Sequence, residues 1–204
     1  MTLLTESEAK QVAEAISEVE KKTDAELVAV LARQADDYRY IPALWSALIA
    51  LVSPGVILFM PFWLEVGEVL LIQLIVFVVM VILLRFPPVM RRIIPSSVKT
   101  WRASNLARRQ FLENNLHHTN GETGVLIFVS EVERYVEIIA DRGVTPFVSD
   151  ADWQEIVDEF TQQVHNGKTL DGFLQTVNKC GDLLSENIPA TSEKDELPNH
   201  LIML

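Results

Sequence analysis

Apolar and polar residues follow three different rhythms along this chain. A helical rhythm opens it, an apolar block broken only by a short acidic turn fills residues 41 to 86, and helical and strand rhythms alternate after residue 118. Thr5 and Glu8 have capping-box spacing, and Val12, Ala13, Ile16 and Val19 then recur on one face, predicting an amphipathic helix that ends near Lys21 and Lys22. Leu27, Val28, Val30 and Leu31 follow within Ala25 to Arg33, a short apolar run that predicts a buried strand.

The central block has membrane composition. From Tyr40 to Leu64 there are 25 residues without a charge, more than the roughly 20 that cross a bilayer as a helix. Pro54 and Gly55 lie near its middle, where neighbouring helices in lipid can accommodate them. The second candidate is shorter, with 16 residues from Val69 to Leu84 between Glu68 and Arg85, and it spans if Arg85 snorkels to the headgroups. Between them Met60 to Glu68 reads as a tight acidic turn with Trp63 at the interface.

After the block, Ser96 to His118 contains no Gly or Pro and predicts one long helix, broken by Asn120 to Gly124. Gly124 to Val129 and Tyr135 to Ala140 then read as an antiparallel hairpin around Ser130 to Arg134. Ser149 and Asp152 cap a helix carrying Trp153, Ile156, Val157, Phe160 and Val164, stopped by Asn166 and Gly167. Thr169 opens the last helix, with Leu170, Phe173, Leu174 and Val177 inward. The resulting order predicts an α/β fold, a small mixed sheet sandwiched by helices and interrupted by a two-helix transmembrane hairpin. The segments are 1–40 and 119–187 for the α/β domain, 41–86 for the hairpin, 87–118 for a basic juxtamembrane helix and 188–204 for a tail whose apolar end can dock on the domain.

Charge changes the picture by giving the hairpin an orientation. The net charge is -11, yet residues 85 to 109 carry seven Lys/Arg and no acid, while residues 110 to 204 carry five basic and seventeen acidic residues. Arg85, Arg91, Arg92, Lys99 and Arg102 flank the second helix, Arg33 and Arg39 precede the first, and the turn has no base. The positive-inside rule then predicts two crossings of a membrane with both termini cytoplasmic. Directly after an apolar run, this collar fits anionic lipid headgroups rather than nucleic acid. MTLLTESEAK predicts no cleavable signal peptide, and Cys180, at helical spacing from Val177 and Leu184, reads as a packed thiol.

Three stretches carry a family resemblance: Glu20-Lys21-Lys22-Thr23-Asp24-Ala25-Glu26-Leu27-Val28; Thr123-Gly124-Val125-Leu126-Ile127-Phe128-Val129-Ser130; and Arg134 to Gly143 followed by Val148-Ser149-Asp150. In this order and spacing they resemble the TPM domain family, some of whose members are described as acid phosphatases or cation-binding domains and others as accessory factors of membrane complexes. This chain departs from the family in two ways. It has Asp141-Arg142-Gly143 where the family usually has Gly-x-Gly, and an anchor inserted within the domain rather than beside it.

Candidate chemistry is limited to a few charged residues. Glu26, Asp141 and Asp150 stand at a strand start, a strand end and a helix start, and carboxylates gathered at one sheet edge can hold Ca²⁺ or Mg²⁺, which polarises a phosphoryl oxygen. Their simpler roles are a strand-edge charge for Glu26 and a helix-start residue for Asp150. His117 and His118 diverge by about 100° on a helix and suit its carboxyl end, though one can face the site. Arg134 and Arg142 are candidates for an anion or a partner, or for pairing with Glu131, Glu133 or Asp141. The sequence has no nucleophile elbow, phosphate loop, zinc signature or dinucleotide fingerprint. The expectation is therefore a non-catalytic accessory module that binds another membrane protein, with metal-assisted phosphate-ester hydrolysis as the alternative.

Overall fold

The computed structural model describes residues 4–57, 59, 61, 63–191 and 201–204. These fall into two units, one formed by the chain up to Ala35 and from Thr100 onward, the other by Asp36–Lys99.

The first unit is the expected α/β sandwich. Helix α1 (Glu6–Glu20) starts on the Thr5–Glu8 capping box, with the Thr5 amide donating to Glu8 Oε2 at 2.7 Å. Strand β1 (Glu26–Ala32) pairs in parallel with β2 (Gly124–Ser130), and β2 pairs antiparallel with β3 (Tyr135–Ala140). A fourth strand, β4 (Leu201–Met203), adds to the free side of β1 in parallel, giving the order β3-β2-β1-β4. The apolar end of the tail thus docks as a strand, while residues 192–200 lie outside the described residues.

Side-chain alternation sends the two faces of the sheet to different helices. Leu27, Ala29 and Leu31 meet Val12, Ile16 and Val19 of α1, Trp153, Ile156 and Phe160 of α6 (Asp150–His165), and Phe173, Val177 and Leu184 of α7 (Thr169–Asn187). Val28, Val30 and Ala32 meet Ala103, Leu106, Ala107 and Phe111 of α5 (Ser96–Glu113). Covered on both sides and flanked by neighbours, β1 and β2 are buried at every position, which is why they read as continuous apolar runs. On the first face, a Cβ at Gly181 would stand 2.5 Å from Val19 Cγ2, so α7 approaches α1 with no room for a larger residue.

The helix expected from Ser96 to His118 ends earlier. Asn115 takes a left-handed conformation (φ 56°), an accepted way to stop a helix, and Asn114 Nδ2 donates to the Gln110 carbonyl at 2.8 Å. Leu116–His118 then forms a separate 3₁₀ turn. Upstream, the basic segment begins with a short additional helix, α4 (Pro87–Ile93), separated from α5 by Ile94 and Pro95, with Ile94 extended because a proline follows it.

The second unit contains the two apolar helices. These are α2 (Tyr40–Ile57), with mean hydropathy 1.7, and α3 (Val66–Leu84), with mean hydropathy 2.8; both are long and apolar enough to cross a membrane. None of the residues of α3 is buried. Pro54 lies inside α2 and has no amide to offer the Ala50 carbonyl, but Ser53 Oγ donates to that carbonyl at 2.8 Å. A small cluster of Tyr38, Ile41 and Ile94 packs with Met90, Ile93 and Val98. Within the connecting turn, Trp63 is fully exposed, and Met60 and Phe62 lie outside the described residues.

Candidate site at the loop edge of the sheet

Several polar side chains gather at the edge where β1 and β2 begin and β3 ends. The register pairs Glu26 with Gly124, and the Asp141 amide donates to the Gly124 carbonyl at 2.9 Å. Glu26, Gly124 and Asp141 therefore share one row across three strands, and their side-chain directions coincide on the α5 face. Glycine leaves the middle position of that row without a side chain. Its place is taken by backbone: a Cβ on Gly124 would lie 2.2 Å from the Leu116 carbonyl oxygen. The 3₁₀ turn thus sits over Gly124, with His117 next in the chain.

The loops around this row are fixed by short contacts. Thr119 Oγ1 accepts from the Thr123 amide at 3.0 Å, and Thr123 Oγ1 donates to the Asp24 carbonyl at 3.1 Å. Gly121 and Glu122 both have positive φ (89° and 56°), and the Gly143 amide donates to the Glu122 carbonyl at 2.8 Å. A Cβ at Gly143 would stand 2.1 Å from the Gly121 carbonyl oxygen, so the absence of a side chain at Gly143 permits the contact between these loops. Asp141 Oδ1 accepts from the Arg142 amide at 2.8 Å. Asp141 Oδ2 and His117 Nδ1 are buried with no hydrogen-bond partner among the described residues, and Glu26 is only 4% exposed.

Two of the three expected carboxylates are thus brought to one edge on one face. Asp150 is not with them. It is the exposed first residue of α6, which packs on the opposite face through Trp153, Ile156 and Phe160, and it lines a separate cavity of about 220 Å³ with Glu137 and Thr145. Among the described residues no three of His, Cys, Asp and Glu are grouped so as to hold a metal ion.

The four residues expected to meet an anion or a partner are dispersed. His117 and His118 lie with ring centroids 4.0 Å apart, in the 3₁₀ turn rather than at the end of α5. Arg142 is exposed, with Nε 4.0 Å from Glu122 Oε2. Arg134 is at the far end of β3, where it lines a cavity of about 410 Å³ with Glu131, Thr161 and His165. Its positive φ (53°) is that of a left-handed residue closing the β2–β3 loop, whose Arg134 amide donates to Glu131. Burial, above all, raises the pKa of Tyr135 at this end, and its hydroxyl donates to Glu137 Oε2 at 2.9 Å. Sequence reasoning passed over Gly124; a glycine at a strand start is the signal that backbone approaches there.

The family model of the TPM domain matches residues 92–183. Among solved structures, the chain is similar to the NMR structure of the BA42 protein from the psychrophilic bacterium Bizionia argentinensis, with 19% identity and a TM-score of 0.60 over 98% of this chain and 94% of that one. At that identity the likeness concerns the fold. No curated protein matches the sequence.

Proposed function

The chain carries a TPM domain, and on that premise we propose that it is a membrane-anchored accessory protein that presents the domain to another membrane protein. The observation that carries this reading is α3: 19 residues of mean hydropathy 2.8, none buried. Water would not leave such a surface uncovered, and the bilayer is the solvent that matches it on all sides. The basic residues that flank the pair, and their absence from the Glu65 turn, favour a bacterial inner membrane with both termini and the acidic domain in the cytoplasm. Anionic headgroups are the partner of that collar.

Two measurements test the proposal. The chain is expected to remain in the membrane pellet after alkaline carbonate washing, and purification in mild detergent is expected to recover a specific membrane partner that depends on residues 110 to 204. Release by carbonate removes the anchor, and recovery of no partner across several detergents removes the accessory role.

A second reading, metal-assisted hydrolysis of a phosphate ester, is favoured by one observation, the Glu26–Asp141 row with the buried, unpartnered Asp141 Oδ2. In this reading those two carboxylates hold Ca²⁺ or Mg²⁺. Hydrolysis of a phosphate ester that survives both chelation and Asp141→Asn eliminates it.

A further inference from the structure

Gln73 is an uncharged polar residue placed deep in α3. It is the eighth residue of the helix Val66–Leu84, two positions from the midpoint at Ile75, or about 3 Å along the axis. The two serines of α2 have their hydroxyls satisfied within their own helix: Ser46 Oγ donates to the Pro42 carbonyl at 2.6 Å and Ser53 Oγ to that of Ala50. Gln73 has no such partner. Its carboxamide makes no hydrogen bond with any described residue, and the side chain is half-buried in a groove lined by Ala47 and Ala50 of α2 and Leu70, Leu74 and Phe77 of α3.

In the middle of a bilayer there is no water to complete a carboxamide, and an unmatched one is costly there. A carboxamide carries both donors and an acceptor, so two identical groups facing each other across a twofold axis satisfy one another. The groove suits that approach. Ala47 and Ala50 are small residues, of the kind that let a neighbouring helix come close, and Leu70 and Phe77 lie one turn from Gln73 on its own face. A second copy supplies the matching carboxamide at the matching depth, because Gln73 occupies the same position in both α3 helices.

We propose that this face is a homodimer interface within the membrane, in which the Gln73 carboxamides of two copies hydrogen-bond reciprocally. The inference rests on the membrane-spanning reading of α2 and α3.

The test uses the full chain in native membranes, with buried Cys180 left in place and one reporter cysteine introduced at Leu70 on the groove face. Under mild oxidation the Leu70→Cys chain is expected to form a disulfide-linked dimer, whereas a reporter at Ile75, on the opposite side of α3, is not. Adding Gln73→Leu is expected to lower the dimer yield at least tenfold, and Gln73→Asn to retain most of it. Both variants should stay in the carbonate-resistant pellet. Equal yields with and without the Gln73→Leu change, no dimer from Leu70→Cys, or a disulfide adduct to a different protein in its place would overturn the homodimer while leaving the anchor intact. Loss of the unaltered chain from the washed membranes would overturn the anchor itself.

Discussion

Gly124 is where the loop edge is most sensitive to a single atom. A methyl group there meets the Leu116 carbonyl oxygen at 2.2 Å, and neither the buried strand nor the 3₁₀ turn can move without breaking its own contacts. Gly124→Ala is expected to destabilise the domain by about 3 kcal/mol, measured by chemical denaturation of the detergent-solubilised chain. A loss below about 0.5 kcal/mol would show that the turn yields. Cys180 is at the other extreme of reactivity: it is fully buried, and burial pushes its thiol up to about 12. A thiol reagent at about pH 8 is expected to modify it only after denaturation. At this scale the site was half legible. Glu26 opens, and Asp141 directly follows, a strand the sequence predicts, but Asp150 marks a helix start, and nothing in its spacing says which layer that helix joins. The burial of Asp141 Oδ2 and His117 Nδ1 depends on loops closed by Gly121, Glu122 and Gly143, contacts invisible in any local pattern.

Elements with strong caps and long apolar faces were legible almost to the residue. Helix α6 begins at Asp150 behind Ser149, whose amide donates to Asp152 Oδ2 at 3.0 Å and whose hydroxyl accepts from the Asp152 amide at 3.4 Å. Ser149→Ala is expected to cost about 1 kcal/mol by denaturant titration. The Ser149 side chain, and then its backbone, hold the Asp152 carboxyl below its ordinary value of 3.8. The sign follows from that depression. The contribution of Asp152 is complete above the unfolded value and disappears as pH falls through the folded one, so it is lost only below about pH 4. In Ser149→Ala the acid-unfolding midpoint should therefore move to higher pH; an unchanged midpoint would mean that the cap carries no charge-dependent part. Helix α5 was less legible. Its polar, glycine-free sequence continues through Asn115, and only the closure of Leu116 over Gly124 explains the left-handed break. Strand β4 was the hardest of all, because three apolar residues at a chain end have no period of their own and acquire strand form only by pairing with β1.

For the whole molecule, the topology makes a prediction that one labelling experiment decides. With silent Cys180, a cysteine at Glu65 is expected to react with an impermeant maleimide in intact cells, and one at exposed Gln154 only after the membrane is opened. Labelling of Gln154→Cys in intact cells reverses the orientation, and protection of both positions indicates a hairpin that enters without crossing. The pairing of β1 with β2 has a further consequence, one of timing. Glu26 and Gly124 are neighbours in the sheet but 98 positions apart in the chain, and both apolar helices are synthesised between them. At about 5–20 residues per second, a ribosome takes roughly 5–20 s to deliver the second strand after the first. Throughout that interval Leu27, Ala29 and Leu31 have no neighbouring strand to pair with, while, on the membrane-anchored reading proposed above, the hairpin is the next part of the chain to reach the bilayer. On that reading, a chain stalled before Gly124 but after both apolar helices have left the ribosome would carry an inserted anchor and an orphan apolar strand, the form in which quality-control proteases and aggregation would meet it first.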